Sequence, residues 1–281
     1  MQYSTFAAID IGSYDVILEI FEISKKQGIR SVDKICHRME LGKDTYTLGK
    51  IRPEMEEELC RVLADFVRIM EGYRVDDYRA TASSAISEAS NSLYVLGKIH
   101  QLTGLSVTVL SNSEQRFLSY KALAAMEDNF NKIIEKGTAI LDLDGGSFQI
   151  SLFDKDALVT TQNIRMGSLR IRERLAGIQS ETEHYEEMVE ELIWNEVSSF
   201  KKMYLKDRKI ENIMLIGDVF TDSVYQNIEE KTTKIISREN FNTWYEKIIR
   251  QSPMELAVKL GIPLENASLM YPSAVIYKCL I

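Results

Sequence analysis

Apolar and polar positions along the chain sort into two blocks that read alike. Phe6–Ile11 is a short apolar run broken by Asp10-Ile11-Gly12-Ser13, and Val16–Ile23 (VILEIFEI) then alternates, so the two pair as a hairpin. The same order returns at Ile140–Phe153, ILDLDGGSFQISLF: an apolar run, an acid, the turn Asp144-Gly145-Gly146-Ser147, and an alternating strand. After the first hairpin, Ile35–Leu41 reads as a third strand ended by Gly42. Arg52–Gly72 has Met55, Leu59, Val62, Leu63, Phe66, Ile69 and Met70 at helical spacing, with Pro53 suited to its first turn. Asp77–Thr81 is a strand, Leu93–Thr103 a helix closed by Gly104, Ser106–Leu110 a strand, and Ser113–Asp128 a helix capped by Ser111 or Ser113.

After a polar segment, Asn129–Gly137, the second block adds a strand at Val159–Ile164 and helices at Ser168–Ala176 and Glu183–Tyr204. A buried-type strand, Ile213–Ile216, and helices at Asn240–Arg250, Pro253–Leu260 and Met270–Leu280 complete it, with Pro272 near the start of the last. Alternating strands and helices read as α/β. The shared order reads as a divergent internal repeat, with domains over 1–128 and 129–281. The last helix, 270–280, is free to pack back on the first domain. Two such domains facing each other would bring both turns to one cleft.

Composition narrows the class. The chain has 281 residues, 45% hydrophobic and 27% charged, with a net charge of −8, which argues against a chain-wide nucleic-acid footprint. Cys36, Cys60 and Cys279, and His37, His100 and His184, are scattered without metal-ligand spacing, so a reduced, cytoplasmic setting is the simplest reading. Residues 1–11 lack a basic leader segment, and no apolar run nears the ~20 residues of a bilayer span. No membrane or nucleic-acid partner is expected, and a homodimer stays open.

The chemistry concentrates at the turns. Amides of a glycine-paired turn can approach an anion, while Asp142 and Asp144 could hold a cation. Asp10 and Asp142 can equally be turn caps, and Ser13 and Ser147 occur in such turns without a ligand. Arg165, Arg170, Arg172 and Arg174 form either a solvated helix face or an anion-binding rim. Asp15, Asp144 and Asp218 are either surface turns or a new cation site. A cation-dependent activity on Asp15, Asp142 and Asp144 stands as a separate reading.

Asp10-Ile11-Gly12-Ser13, Leu41-Gly42, Ala82–Asn91 (ASSAISEASN), Thr103–Ser111 (TGLSVTVLS), Asp142–Ser147 and Met166-Gly167-Ser168-Leu169-Arg170 follow one another in an order that resembles the Ppx/GppA family. These are exopolyphosphatases and guanosine pentaphosphate phosphatases of the actin-like ATPase superfamily. The resemblance is good over roughly the first 175 residues and weaker after them. It implies an α/β fold of two actin-like (ribonuclease H-like) domains facing a central cleft, in the short form without a further C-terminal domain. It implies hydrolysis of a phosphoanhydride, in polyphosphate or guanosine pentaphosphate (pppGpp), with Mg²⁺ or another divalent cation. Carried over residue by residue, it marks Asp142, Gln115, Glu114 and Gln149 as catalytic positions. It marks Gly12, Ser13, Ser87, Gly145, Gly146 and Ser147 as phosphate-binding, and Asp10, Asp142 and Asp144 as metal-binding.

Several of these positions depart from the family's pattern. DIGSNS becomes Asp10-Ile11-Gly12-Ser13-Tyr14-Asp15, and the arginine of TSALREA becomes Ser87. SGEEEARL aligns without gaps on Ser111–Leu118, so the water-activating glutamate falls on Gln115, a neutral amide that takes no proton at pH 7. A one-residue shift to Glu114 would rotate the side chain by about 100°. In DIGGGSTEL one glycine becomes Asp144 and the second acid Gln149, and GGT becomes Gly217-Asp218-Val219. The substitutions remove acids and an arginine that the chemistry needs. Two readings follow: a hydrolase of impaired activity, or an inactive relative that binds a nucleotide, phosphate or protein partner.

Overall fold

A computed structural model describes residues 3–126, 130–176, 185–205, 208–217 and 237–281. The chain divides into two compact units, Met1–Leu118 and Ser119–Ile281. Among the described residues no helix is long and apolar enough to cross a membrane.

In the first unit, β1 (Ser4–Ile11), β2 (Asp15–Ser24) and β3 (Gly28–Arg38) form an antiparallel meander. Helices α1 (Leu41–Leu48) and α2 (Pro53–Gly72) follow, and β4 (Asp77–Ala82) returns parallel to β1. After α3 (Ser84–Ser87) and α4 (Ser92–Thr103), β5 (Val107–Val109) adds in parallel, giving the order β3-β2-β1-β4-β5. Ala7, Ile9 and Ile11 alternate into a core with Val16, Leu18 and Ile20 of β2 and Leu59, Leu63 and Phe66 of α2. Asp10 lies on the opposite face of β1, exposed.

Helix α5 (Asn112–Met126) runs from the first unit into the second. There α6 (Phe130–Ile134) precedes β6 (Thr138–Leu143), β7 (Phe148–Asp154) and β8 (Ala157–Ile164), again an antiparallel meander. Helices α7 (Ser168–Leu175) and α8 (Tyr185–Tyr204) lead to β9 (Asn212–Ile216), parallel to β6. The order β8-β7-β6-β9 repeats that of the first four strands of the first unit. Helices α9 (Arg238–Ile249), α10 (Pro253–Leu260) and α11 (Leu264–Leu280) close the chain. Strand β6 is covered on both faces, which explains its near-continuous apolar run. Ala139, Leu141 and Leu143 enter the main core with Phe148, Phe200 and Tyr277, while Ile140 joins a second cluster with Phe130, Ile134 and Phe153.

Four elements differ from the sequence pattern. The third strand spans Gly28–Arg38 rather than Ile35–Leu41. It is an edge strand whose burial barely alternates before Asp33, so its start carries little signal. Leu41 instead opens α1, which Gly49 closes at φ +71°, its amide bonded to Thr45 O at 3.0 Å. The polar segment 129–137 contains α6, held by Phe130 and Ile134 one turn apart. The last helix starts at Leu264, with Pro263 as its N-cap, so Pro272 is interior rather than near the start. Burial of Ala267, Met270, Ala274, Val275 and Ile276 offsets the local cost of that proline.

Candidate functional site

The first turn is closed by its own side chains. Gly12 N donates to Asp15 O at 2.9 Å, and a Cβ at Gly12 would lie 3.2 Å from Asp15 Oδ1, so the Asp15 carboxyl folds over the glycine. Burial pushes the Asp15 carboxyl above its usual range, against the Cys36 thiol donating at 3.5 Å and the charges of Arg38 and Lys34. Arg38 sits 5.1 Å over the Tyr14 ring. Ser13 is 1% exposed. Its hydroxyl meets the Tyr46 hydroxyl at 2.6 Å and Ser84 Oγ at 3.4 Å, and Tyr46 meets Ser84 at 2.8 Å. Asp10 accepts a long contact from Thr81 Oγ1 at 3.5 Å. Ser87 is exposed on α3.

At the start of α5 the two candidate water-activating positions separate. Glu114 Oε2 accepts from Ser111 N at 2.9 Å and from Ser111 Oγ at 2.7 Å, and Glu114 N donates back to Ser111 Oγ at 3.3 Å. That reciprocal cap identifies Ser111 as the N-cap and draws the exposed Glu114 carboxyl below its usual range. Gln115, one position on, is partly buried.

The second turn is built differently, with Gly145 and Gly146 buried and Asp144 and Ser147 partly exposed. Asp142 ends the polar row Asp142–Gln149–Asn163, three residues directly opposite one another across β6, β7 and β8. Ser119 Oγ, one turn along α5 from Gln115, donates to Asp142 Oδ2 at 2.9 Å. Burial, with a smaller push from Asp144, raises the Asp142 carboxyl to about 6. Gln149 is 5% exposed, and its Oε1 has no hydrogen-bond partner among the described residues. Gly217, at φ +51°, closes in from the end of β9; a Cβ there would lie 3.8 Å from Asp142 Oδ1. Asp218, Val219 and His184 lie outside the described residues.

The turn itself is held by α7. Ser168 N donates to Asp144 O at 3.3 Å, Arg170 N to Gly145 O at 2.9 Å and Arg170 Nε to Gly146 O at 2.8 Å. Arg170 therefore clamps the turn, and Arg172 bonds Glu173 and Ser268. Gly167 lets α7 approach: a Cβ there would stand 2.2 Å from Asp144 O. Gly145 and Gly146 are not among the glycines at positive φ. Gly145 N bonds Asp144 Oδ1 at 2.6 Å, and Asn163 Nδ2 donates to Ser147 Oγ at 3.1 Å. Among the described residues, the amides of Gly146 and Ser147 have no acceptor, as an anion site requires. A cavity of about 600 Å³ lies at the other end of β6, beside Gly137, Asp154 and Ile210, and none of these site residues lines it.

The structure thus brings Asp142, Asp144, Gln149, Gly145, Gly146 and Ser147 together in the second unit. It places Asp10, Gly12, Ser13, Ser87, Glu114 and Gln115 in the first. Among the described residues no three His, Cys, Asp or Glu side chains are grouped to hold a metal. Asp142, raised mainly by its burial and less by Asp144, and Asp144 itself carry the oxygen chemistry that a divalent cation takes. The sequence does not mark Ser119 or Tyr46 as site residues: Ser119 sits at i+4 from Gln115, one helical turn on, and the eight residues of α1 around Tyr46 show no periodicity.

Residues 19–281 match the Ppx/GppA phosphatase family. A bifunctional 3-dehydroquinate synthase/phosphatase of Fusobacterium nucleatum is 22% identical over 238 residues, 80% of this chain and 34% of that protein. Exopolyphosphatase 1 of Mycobacterium leprae is 25% identical over 144 residues, 51% of this chain and 41% of that protein. The chain thus spans well under half the length of these relatives. An exopolyphosphatase from Cytophaga hutchinsonii superposes with a TM-score of 0.85 at 18% identity, covering 99% of this chain and 90% of that one. The Aquifex aeolicus family member gives 0.75 at 20% identity, over 99% and 90%. These likenesses bear on the fold.

Proposed function

From the premise that the chain belongs to the Ppx/GppA phosphatase family, we propose that it binds the phosphoanhydride end of polyphosphate or pppGpp at the Asp142–Ser147 turn, with strongly impaired hydrolysis. One observation carries the second half. The start of α5 offers no carboxylate for water activation, because Glu114 is engaged in the cap with Ser111 and Gln115 is a neutral amide.

Binding is supported by the second turn. The amides of Gly146 and Ser147 offer two donors, and Ser147, accepting from Asn163, keeps its own hydroxyl proton to give. Asp142 and Asp144 would hold a divalent cation, which when bound would neutralise phosphate oxygens. Ser119 orients the Asp142 carboxylate. The amide at Gln149 adds an acceptor without charge, so the row carries one negative charge fewer than the family's acid would give it.

The test is phosphate release from polyphosphate and from pppGpp with Mg²⁺ or Mn²⁺. We expect slow turnover in the wild type and a gain of about 10²-fold or more in Gln115→Glu, the usual scale of a general base. Rapid wild-type turnover, abolished by Asp142→Ala and unimproved by Gln115→Glu, would refute impairment. The inactive binder remains the second reading, favoured by the closed first turn. It predicts ligand-dependent thermal stabilisation with no phosphate release even after prolonged incubation.

A further inference from the structure

The first turn holds an arrangement that the sequence pattern did not announce. Ser13, Tyr46 and Ser84 bring three hydroxyls into mutual contact at 2.6, 2.8 and 3.4 Å. They come from three places: the β1–β2 turn, α1 and α3. Each is fixed independently. Gly42 N, at the start of α1, donates to Ser13 O at 2.8 Å, which pins the helix on the turn. Thr45 Oγ1 donates to Ala85 O at 2.7 Å, which ties α1 to α3. Asp44, buried beside them, accepts from Arg52 N and Arg52 Nε, both at 2.9 Å. The Tyr46 hydroxyl is thereby delivered between two serines by a helix anchored at three points.

Ser83, the chain neighbour of Ser84, has a buried Oγ, the residue 7% exposed, with no hydrogen-bond partner among the described residues. A hydroxyl left so costs free energy, and native structures keep few of them. Three hydroxyls gather at the first turn, and the phenol bridges the two serines. A phosphoryl oxygen accepts several hydrogen bonds, and Ser13 and Ser84 together could supply two donors at the point where the phenol now stands.

We propose that Tyr46 is a built-in occupant of the first turn: its hydroxyl takes the position of a phosphoryl oxygen between Ser13 and Ser84 and closes the turn to anions. This rests on the reading that the chain binds phosphoanhydrides, and confines that binding to the second turn. Asp10 and Asp15 flank the first turn, so an anion entering it brings a divalent cation. A tyrosine that only tethers α1 would, when shortened, lower stability and nothing else.

Isothermal titration with magnesium pyrophosphate separates the two roles. Tyr46→Leu keeps an apolar side chain on α1 but does not reach the serines; Tyr46→Ala removes the plug fully. Both are expected to bind magnesium pyrophosphate at the first turn about tenfold tighter than the wild type does there, with binding at the second turn unchanged. Adding Ser13→Ala to Tyr46→Leu is expected to remove the gain. Unchanged affinity in whichever variant folds, or a gain that survives Ser13→Ala, would overturn the proposal. Failure of the functional reading registers elsewhere, in the Gln115→Glu rates and in the wild-type affinity lost on Asp142→Ala.

Discussion

Asp142 is the residue at which burial, a like charge and a hydrogen bond meet, and its carboxyl is raised to about 6. An unfolded aspartate releases its proton near about 3.9. Between those values the native state holds a proton that the unfolded state has lost, so stability falls as pH rises from about 4 to about 6 and stays low above. Asp142→Asn keeps an acceptor for Ser119 and removes the titration. With metal chelated, the variant should match the wild type at about pH 4 and melt roughly 2–8 °C higher at pH 8, for about 1–2 kcal/mol. A melting difference that ignores pH would contradict this origin of the shift. Glu114 makes the complementary case. Gln in its place preserves the reciprocal cap with Ser111. Glu114→Gln should therefore leave both the urea midpoint and phosphate release at wild-type values. A 10²-fold loss of rate, the scale of a removed base, would assign Glu114 the water-activating role instead.

The contact of α7 with the second turn shows how an element depends on one missing atom. A Cβ on Gly167 would lie 2.2 Å from Asp144 O, 2.4 Å from Gly145 C and 2.4 Å from Ser147 N. All three are backbone atoms, so no side chain can move aside. Gly167→Ala must push α7 from the turn, break the Ser168 and Arg170 bonds, and cost about 1–3 kcal/mol or more in a urea titration. It should also weaken pyrophosphate binding; a variant with wild-type stability would mean the turn is not clamped. The hairpins and long helices around this contact were legible because alternation, helical spacing and end signals agree along a short stretch. Helices α1 and α6 were not, because eight and five residues give too few turns for a periodicity to show. The site was legible where it is local: Asp142 through Ser147 announce a turn. Ser119 against Asp142 is 23 residues apart and Tyr46 against Ser13 is 33, and no pattern in the sequence pairs them.

The two units share a strand order, three antiparallel strands followed by a parallel return, but each buries its own core. Phe66 of α2 belongs to the first core, at 2% exposure, and Phe200 of α8 to the second, fully buried. A chain built from two such cores need not unfold in one step. Phenylalanine-to-alanine changes at buried sites cost about 3–5 kcal/mol, enough to move a transition by several degrees. Calorimetry should resolve two transitions, with Phe66→Ala lowering one and Phe200→Ala the other. Magnesium pyrophosphate acts at Asp142 and Asp144 in the proposed reading, so it should raise only the transition that Phe200→Ala lowers. Tyr46→Leu should then let the same ligand raise the other transition as well. A single transition lowered equally by both core variants, or ligand stabilisation of the Phe66 transition in the wild type, would show that the two cores and the two turns act as one.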